Sequence, residues 1–190
     1  MGKILCFISE DMADFEITLA FHKIKSIGNK EVLTIGYDEN AITSESGIMY
    51  KPHINIKQSL ELSDVEGLII PGGPIKPQKS ELTELIKDLD GKGKLLAAIC
   101  NGPQYLGRAG ILKAHKFTTS SSKEAIHRLD VEDPFPWENY VDKRVVRDSN
   151  IITAKGRAFV DFAFEIFDYL DIYKDSAVKL ELYKDIVNFK

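Results

Sequence analysis

The chain has 190 residues, 44% of them hydrophobic and 28% charged, with a formal net charge of −4. That length can bury a full core in one domain, and the mildly acidic balance excludes a nucleic-acid surface, which needs a basic stripe. The two cysteines, Cys6 and Cys100, exclude a disulfide framework and fit a reducing compartment, most simply the cytoplasm.

Strand and helix patterns alternate along the chain. Ile4 to Ile8 is an apolar run of strand length, of the kind buried on both faces of a parallel sheet. It soon meets Glu10, Asp11 and Asp14, so neither a signal peptide nor a membrane span is expected there. Asp14 is placed to cap a helix running to about Ile27, which Gly28 ends. Val32 to Ile35 is the next strand, and 41–57 reads as an irregular excursion with short strand pieces. Gly67 to Ile70 is a buried strand stopped by Pro71-Gly72-Gly73-Pro74, and a helix follows from Ser80 to Leu89. Leu95 to Ile99 is a strand that runs into Cys100 and then a helix through Leu106. Phe117 to Thr119 reads as a further short strand, and Val145-Val146 with Ile151-Ile152 as a hairpin. A helix from Gly156 to about Leu170 is rich in phenylalanine, and 173–190 forms a C-terminal helical extension. The pattern predicts one α/β domain, residues 1–190, with a mostly parallel central sheet and helices on both faces.

In such sheets the ligand crevice lies beyond the carboxyl ends of the strands. Cys100, the Gly72-Gly73 pair and the Ser9–Glu16 segment all fall at such ends. A strand ending on Cys100, with Gly102 and a helix behind it, has the pattern of a nucleophile elbow. The helix start is expected to pull the thiol below its ordinary pKa of about 8.5. Cys6, centred in its strand, is core. Gly72-Gly73 serves either as turn punctuation or as backbone N–H donors to an oxyanion, together with the N–H of Asn101. Glu16 suits the first turn of a helix and is also a candidate partner for the thiol.

The string Ala97-Ala98-Ile99-Cys100-Asn101-Gly102-Pro103 resembles the cysteine signature of the ThiJ/PfpI family, within the class I glutamine amidotransferase-like superfamily. Ala13-Asp14-Phe15-Glu16, Leu68 to Gly73, Ala109 to Leu112 and the hairpin from Val145 to Thr153 are similar to the family's other landmarks. The resemblance covers roughly residues 3–170. It implies a flavodoxin-like three-layer sandwich, a homodimer, and Cys100 and Glu16 as the reactive pair. A Glu16 kept neutral by burial would lower the thiol pKa and shuttle a proton.

The chain departs from the family where histidine is usual, immediately after the cysteine and after the next strand. Those positions hold Asn101 and Ser120, which weakens any peptide-hydrolase reading, since an amine leaving group needs a general acid. Ser120, His127 and Trp137 are possible pocket-wall residues, the last in the stiff loop Asp133 to Tyr140. No histidine or cysteine spacing suits a metal, so neither metal nor cofactor is expected. The expected activity is glyoxalase- or deglycase-like, on small reactive carbonyl compounds, with Cys100 adding to the carbonyl carbon. The alternative is a non-catalytic oxidative-stress protein that uses oxidation of Cys100.

Overall fold

The computed structural model describes residues 2–173 and 175–187. Position 1 of the expected domain, and 174 and 188–190 of the expected C-terminal extension, lie outside the described residues. In chain order the elements are β1 (Lys3–Phe7), α1 (Phe15–Ser26), β2 (Glu31–Gly36), β3 (Ile42–Thr43), β4 (Met49–Tyr50), β5 (Ile54–Asn55) and α2 (Ile56–Ser59). They continue with β6 (Val65–Ile70), α3 (Ser80–Gly91), β7 (Leu95–Ile99), α4 (Pro103–Arg108) and α5 (Lys123–His127). The chain then forms β8 (Val145–Asp148), β9 (Ile151–Ala154), α6 (Phe159–Tyr169) and α7 (Ser176–Val187).

Seven strands form one sheet in the order β5-β2-β1-β6-β7-β9-β8, parallel throughout except for β8, which returns antiparallel on β9. Side chains alternate across a strand, and the core divides accordingly. Leu5, Phe7, Leu68, Ile70, Leu96 and Ala98 face the side covered by α3, α4 and α5. Ile4, Cys6, Ile69, Leu95, Ala97 and Ile99 face the side covered by α1, α6 and α7. This is the flavodoxin-like sandwich, and Cys6 lies fully buried in its core. Strand order reverses direction between β1 and β6, which places the crevice of a doubly wound sheet beside their carboxyl ends.

Two local expectations are corrected. Asp14 precedes α1 but makes no side-chain cap; its carboxylate instead accepts from Ser46 Oγ at 2.6 Å and Tyr50 Oη at 2.9 Å. The 41–50 excursion is thereby tied to the start of α1. Phe117 to Thr119 does not form a strand, only a bridge from Phe117 to Tyr140. Side-chain bonds replace the ladder there: the Thr118 N–H donates to Thr153 Oγ1, and the Thr119 hydroxyl to Cys100 O. Phe162, Phe164 and Phe167 of α6 are buried within the chain. Phe164 meets Tyr183 of α7 edge-on at 5.0 Å.

Candidate functional site

Cys100 leaves β7 with φ +60, a left-handed conformation that costs a non-glycine residue about 1–3 kcal/mol. Neighbouring backbone holds it there. Its N–H donates to Ala154 O at 2.8 Å, while its carbonyl accepts from Ser120 N–H at 3.0 Å and Thr119 Oγ1 at 2.7 Å. This is the sharp turn that the strand-to-helix string predicts, and it aims the side chain into a cleft of about 570 Å³.

Glu16, in the first turn of α1, is buried, and its Oε2 accepts the Gly72 N–H at 2.8 Å. The expected oxyanion donor at Gly72 is therefore already engaged. The Cys100 thiol lies beside the same carboxyl, since a Cβ on Gly72 would stand 2.6 Å from Glu16 Oε2 and 3.0 Å from Cys100 Sγ. Two glycines press against this pair. A Cβ on Gly72 would stand 2.6 Å from both Cys100 Cβ and Glu16 Oε2, and one on Gly156 would stand 2.5 Å from Glu16 Oε1 and 3.1 Å from Cys100 Sγ. Any larger residue at either position would displace the thiol or the carboxyl.

Burial pushes the Glu16 carboxyl up to about 7, opposed by the Gly72 and Cys100 hydrogen bonds. The direction matches the expected neutral acid. The thiol moves against expectation. Burial first, and then the charge of Glu16, push Cys100 up to about 11, although the Ser120 hydroxyl and the Asn101 N–H both favour the thiolate. The helix start does not overcome desolvation of a sulfur placed beside a carboxylate. From about pH 7 to 11 the pair therefore shares one proton, mainly on sulfur.

Asn101 contributes its side chain as well as its N–H. Its Nδ2 donates to Gly73 O at 2.9 Å, and its Oδ1 accepts from Ser121 Oγ at 2.8 Å. The loop after β6 is thus fastened to the elbow after β7. Ser120 occupies the place where the family usually has histidine; its Oγ accepts from Gly156 N–H at 2.9 Å, and it lines the cleft together with Cys100.

The fold thus brings Cys100, Glu16, Gly72, Gly73, Asn101 and Ser120 together, and it does not bring His127 or Trp137. His127 is exposed at the end of α5 and does not line the cleft. Trp137 packs 5.2 Å from Phe135 and 5.5 Å from Tyr140, with its Nε1 donating to Asp133. The stiff loop covers the α3–α4 face because its aromatic groups stack onto Phe117 there. Sequence reasoning passed over Glu45, Gly156 and Arg157, which also line the cleft. The signal for the last two was available, since they follow β9, another parallel strand with its carboxyl end at the crevice. Among the described residues, no group of three or more His, Cys, Asp or Glu side chains is gathered as metal ligands.

Comparison with known proteins agrees with this geometry. The chain is similar to the deglycase PfpI of Pyrococcus furiosus, 28% identical over 158 residues that cover 80% of this chain and 89% of that protein. It is 25% identical over 190 residues to YdeA, an uncharacterized protease of Bacillus subtilis, covering 100% of this chain and 93% of that protein. A crystal structure of a DJ-1 superfamily protein from Agrobacterium tumefaciens superposes with a TM-score of 0.79 at 27% identity, over 97% of this chain and 98% of that one. The DJ-1/PfpI family model matches residues 2–169, a span holding every residue of the cleft, and the chain belongs to that family.

Proposed function

We propose that the protein acts on small reactive carbonyl compounds, as a glyoxalase or deglycase, with Cys100 as nucleophile and Glu16 as proton shuttle. The observation that carries this reading is the pairing itself. A thiol fixed at an elbow lies beside a buried carboxyl whose pKa is raised to about 7, close to neutral pH, where one group serves as both general base and general acid. As Sγ adds to an aldehyde carbon, the thiol proton passes to the Glu16 carboxylate. The protonated acid then gives it to the carbonyl oxygen, which leaves a hemithioacetal and an ionised Glu16. With a ketoaldehyde, Glu16 next carries the C1 proton to C2 while the hydroxyl proton on the C1 oxygen passes to the C2 oxygen, and water cleaves the resulting thioester to a 2-hydroxy acid and free Cys100. On this ketoaldehyde route every step is a proton transfer, an addition or a hydrolysis, so no amine has to be expelled and no imidazole is required; a glycated amine would leave with a proton from Glu16. The backbone N–H of Gly73 is the remaining glycine donor at the oxyanion position, since that of Gly72 is held by Glu16.

The oxidation-sensor reading is weaker on the same observation. The thiolate is the form that attacks a peroxide oxygen, breaking the O–O bond, and burial beside Glu16 keeps Cys100 protonated. The chain is read as a cytoplasmic homodimer. The free cysteines support the compartment, and exposed Phe15, Ile48 and Met49 near the Asp14 contacts support the dimer. Light scattering of the purified protein tests the dimer, and a monomeric mass rejects it.

The decisive assay offers methylglyoxal, glycated amino acids, amides and esters to the wild type and to Cys100→Ser, with intact mass recorded after each incubation. Turnover of the carbonyl substrates that disappears in Cys100→Ser is expected. No Cys100-dependent turnover or adduct anywhere in the panel rejects the enzyme.

A further inference from the structure

Among the described residues, Arg157 is the one basic side chain lining the Cys100 cleft; the carboxyl groups there are Asp11, Glu16 and Glu45. It directly follows Gly156, where a Cβ would stand 3.1 Å from Cys100 Sγ, so its reach overlaps the reacting sulfur. Arg157 is exposed, and its engaged group is its main-chain carbonyl, which accepts from Arg144. No carboxylate of the described residues pairs with its guanidinium. Asp11, by contrast, has Lys76 at 3.9 Å. An unpaired guanidinium presents a planar fork of donors that matches a carboxylate or phosphate, and a partly water-excluded cleft strengthens that bond. The cleft volume of about 570 Å³ also lies in the range that houses ligands much larger than methylglyoxal.

We propose that Arg157 is a specificity-determining residue that receives an anionic group of the substrate while the carbonyl carbon meets Cys100. The substrate class is then an aldehyde or ketoaldehyde bearing a carboxylate or phosphate. This rests on the reading of Cys100 as the reacting thiol. Glu45, on the turn between β3 and β4, opposes the same anion electrostatically and keeps the preference modest.

Two alkylating probes isolate the charge effect without requiring turnover. Iodoacetate and iodoacetamide both form an S–C bond as iodide leaves, with the thiol proton passing to Glu16 or solvent, and they differ chiefly in charge. The rate constants at Cys100 are read by intact mass, with Cys100→Ser as background. Arg157→Gln is expected to lower the iodoacetate-to-iodoacetamide ratio about tenfold, the size of one charge-assisted hydrogen bond in a cleft. Arg157→Lys restores most of it, and Glu45→Gln raises the ratio above the wild-type value. A ratio unmoved in Arg157→Gln, with Cys100 still reacting, overturns the role of Arg157 alone. A Cys100 inert to both probes overturns this proposal together with the thiol chemistry beneath it. Protection of Cys100 from iodoacetamide by glyoxylate and by glyceraldehyde 3-phosphate, through reversible hemithioacetal formation and each compared with methylglyoxal, then tells a carboxylate preference from a phosphate one.

Discussion

Glu16 is a carboxyl group whose burial makes its charge expensive. Its folded pKa is raised from 4.5 to about 7, so folding favours the protonated form. That stabilisation is fully present below 4.5 and is lost as pH rises through about 7. At the plateau the loss approaches about 3 kcal/mol, from roughly 1.4 kcal/mol for each unit of pKa. Glu16→Gln cannot ionise, so it is expected to overtake the wild type in stability across that window. Denaturant melts at mildly acid and mildly alkaline pH check this, and parallel curves for the two proteins reject it. The same substitution removes the charge that helps push Cys100 up to about 11. The thiolate absorbance of Glu16→Gln should accordingly appear at lower pH than in the wild type. An unchanged thiol titration would mean that the two groups are not coupled.

The elbow works because neighbouring elements leave it no other conformation. β7 delivers Cys100, β9 anchors its N–H through Ala154, and the segment after Phe117 anchors its carbonyl. Gly156, just past β9, makes room for the sulfur and carboxyl together. Gly156→Ala is expected to cost about 1–3 kcal/mol, the usual range for overpacking a filled site, and to move Sγ away from Glu16. A melt and a thiol alkylation rate measure both effects, and an alanine variant with wild-type melt and alkylation rate refutes the crowding argument. Asp14 acts between elements too. Asp14→Ala removes the acceptor of Ser46 and Tyr50, so amide exchange in residues 41–50 should accelerate while β6 and β7 keep their protection. Uniform exchange throughout would show that Asp14 does not fasten the excursion.

At the scale of the molecule the sheet separates two apolar layers, and Phe162 of α6 is fully buried in one of them. Phe162→Ala is expected to cost about 3–5 kcal/mol, the transfer and cavity cost of a large aromatic, without changing the ratio of probe rates at Cys100. Much of this architecture was readable in advance, because continuous apolar runs of strand length and glycine punctuation are local signals. The strands ending at Ile70 and Ile99, the apolar face of α3 and the hairpin of β8 and β9 all follow from such signals. Phe117 to Thr119 did not, because the Thr118 N–H donates to the Thr153 side chain and the two threonine hydroxyls donate to the Lys143 and Cys100 carbonyls, partners distant in sequence. Trp137 lies away from the cleft for a similar reason: its aromatic neighbours Phe135 and Tyr140 pack on Phe117 and draw the loop to the far layer.

By itself the sequence determined that an apolar strand ends on Cys100 and turns sharply into a helix, since run length and a glycine-proline stop act within a few residues. It also determined that histidine is missing from both usual positions. Only the tertiary structure decided that Glu16 reaches Cys100, that Gly72 spends its N–H on that carboxyl, and that Ser120 and Gly156 complete the surround of the sulfur. It also decided the thiol pKa, raised where the helix start suggested lowered. Proton affinity is set by everything that displaces water from a group, and for Cys100 those atoms come from four separated stretches of chain.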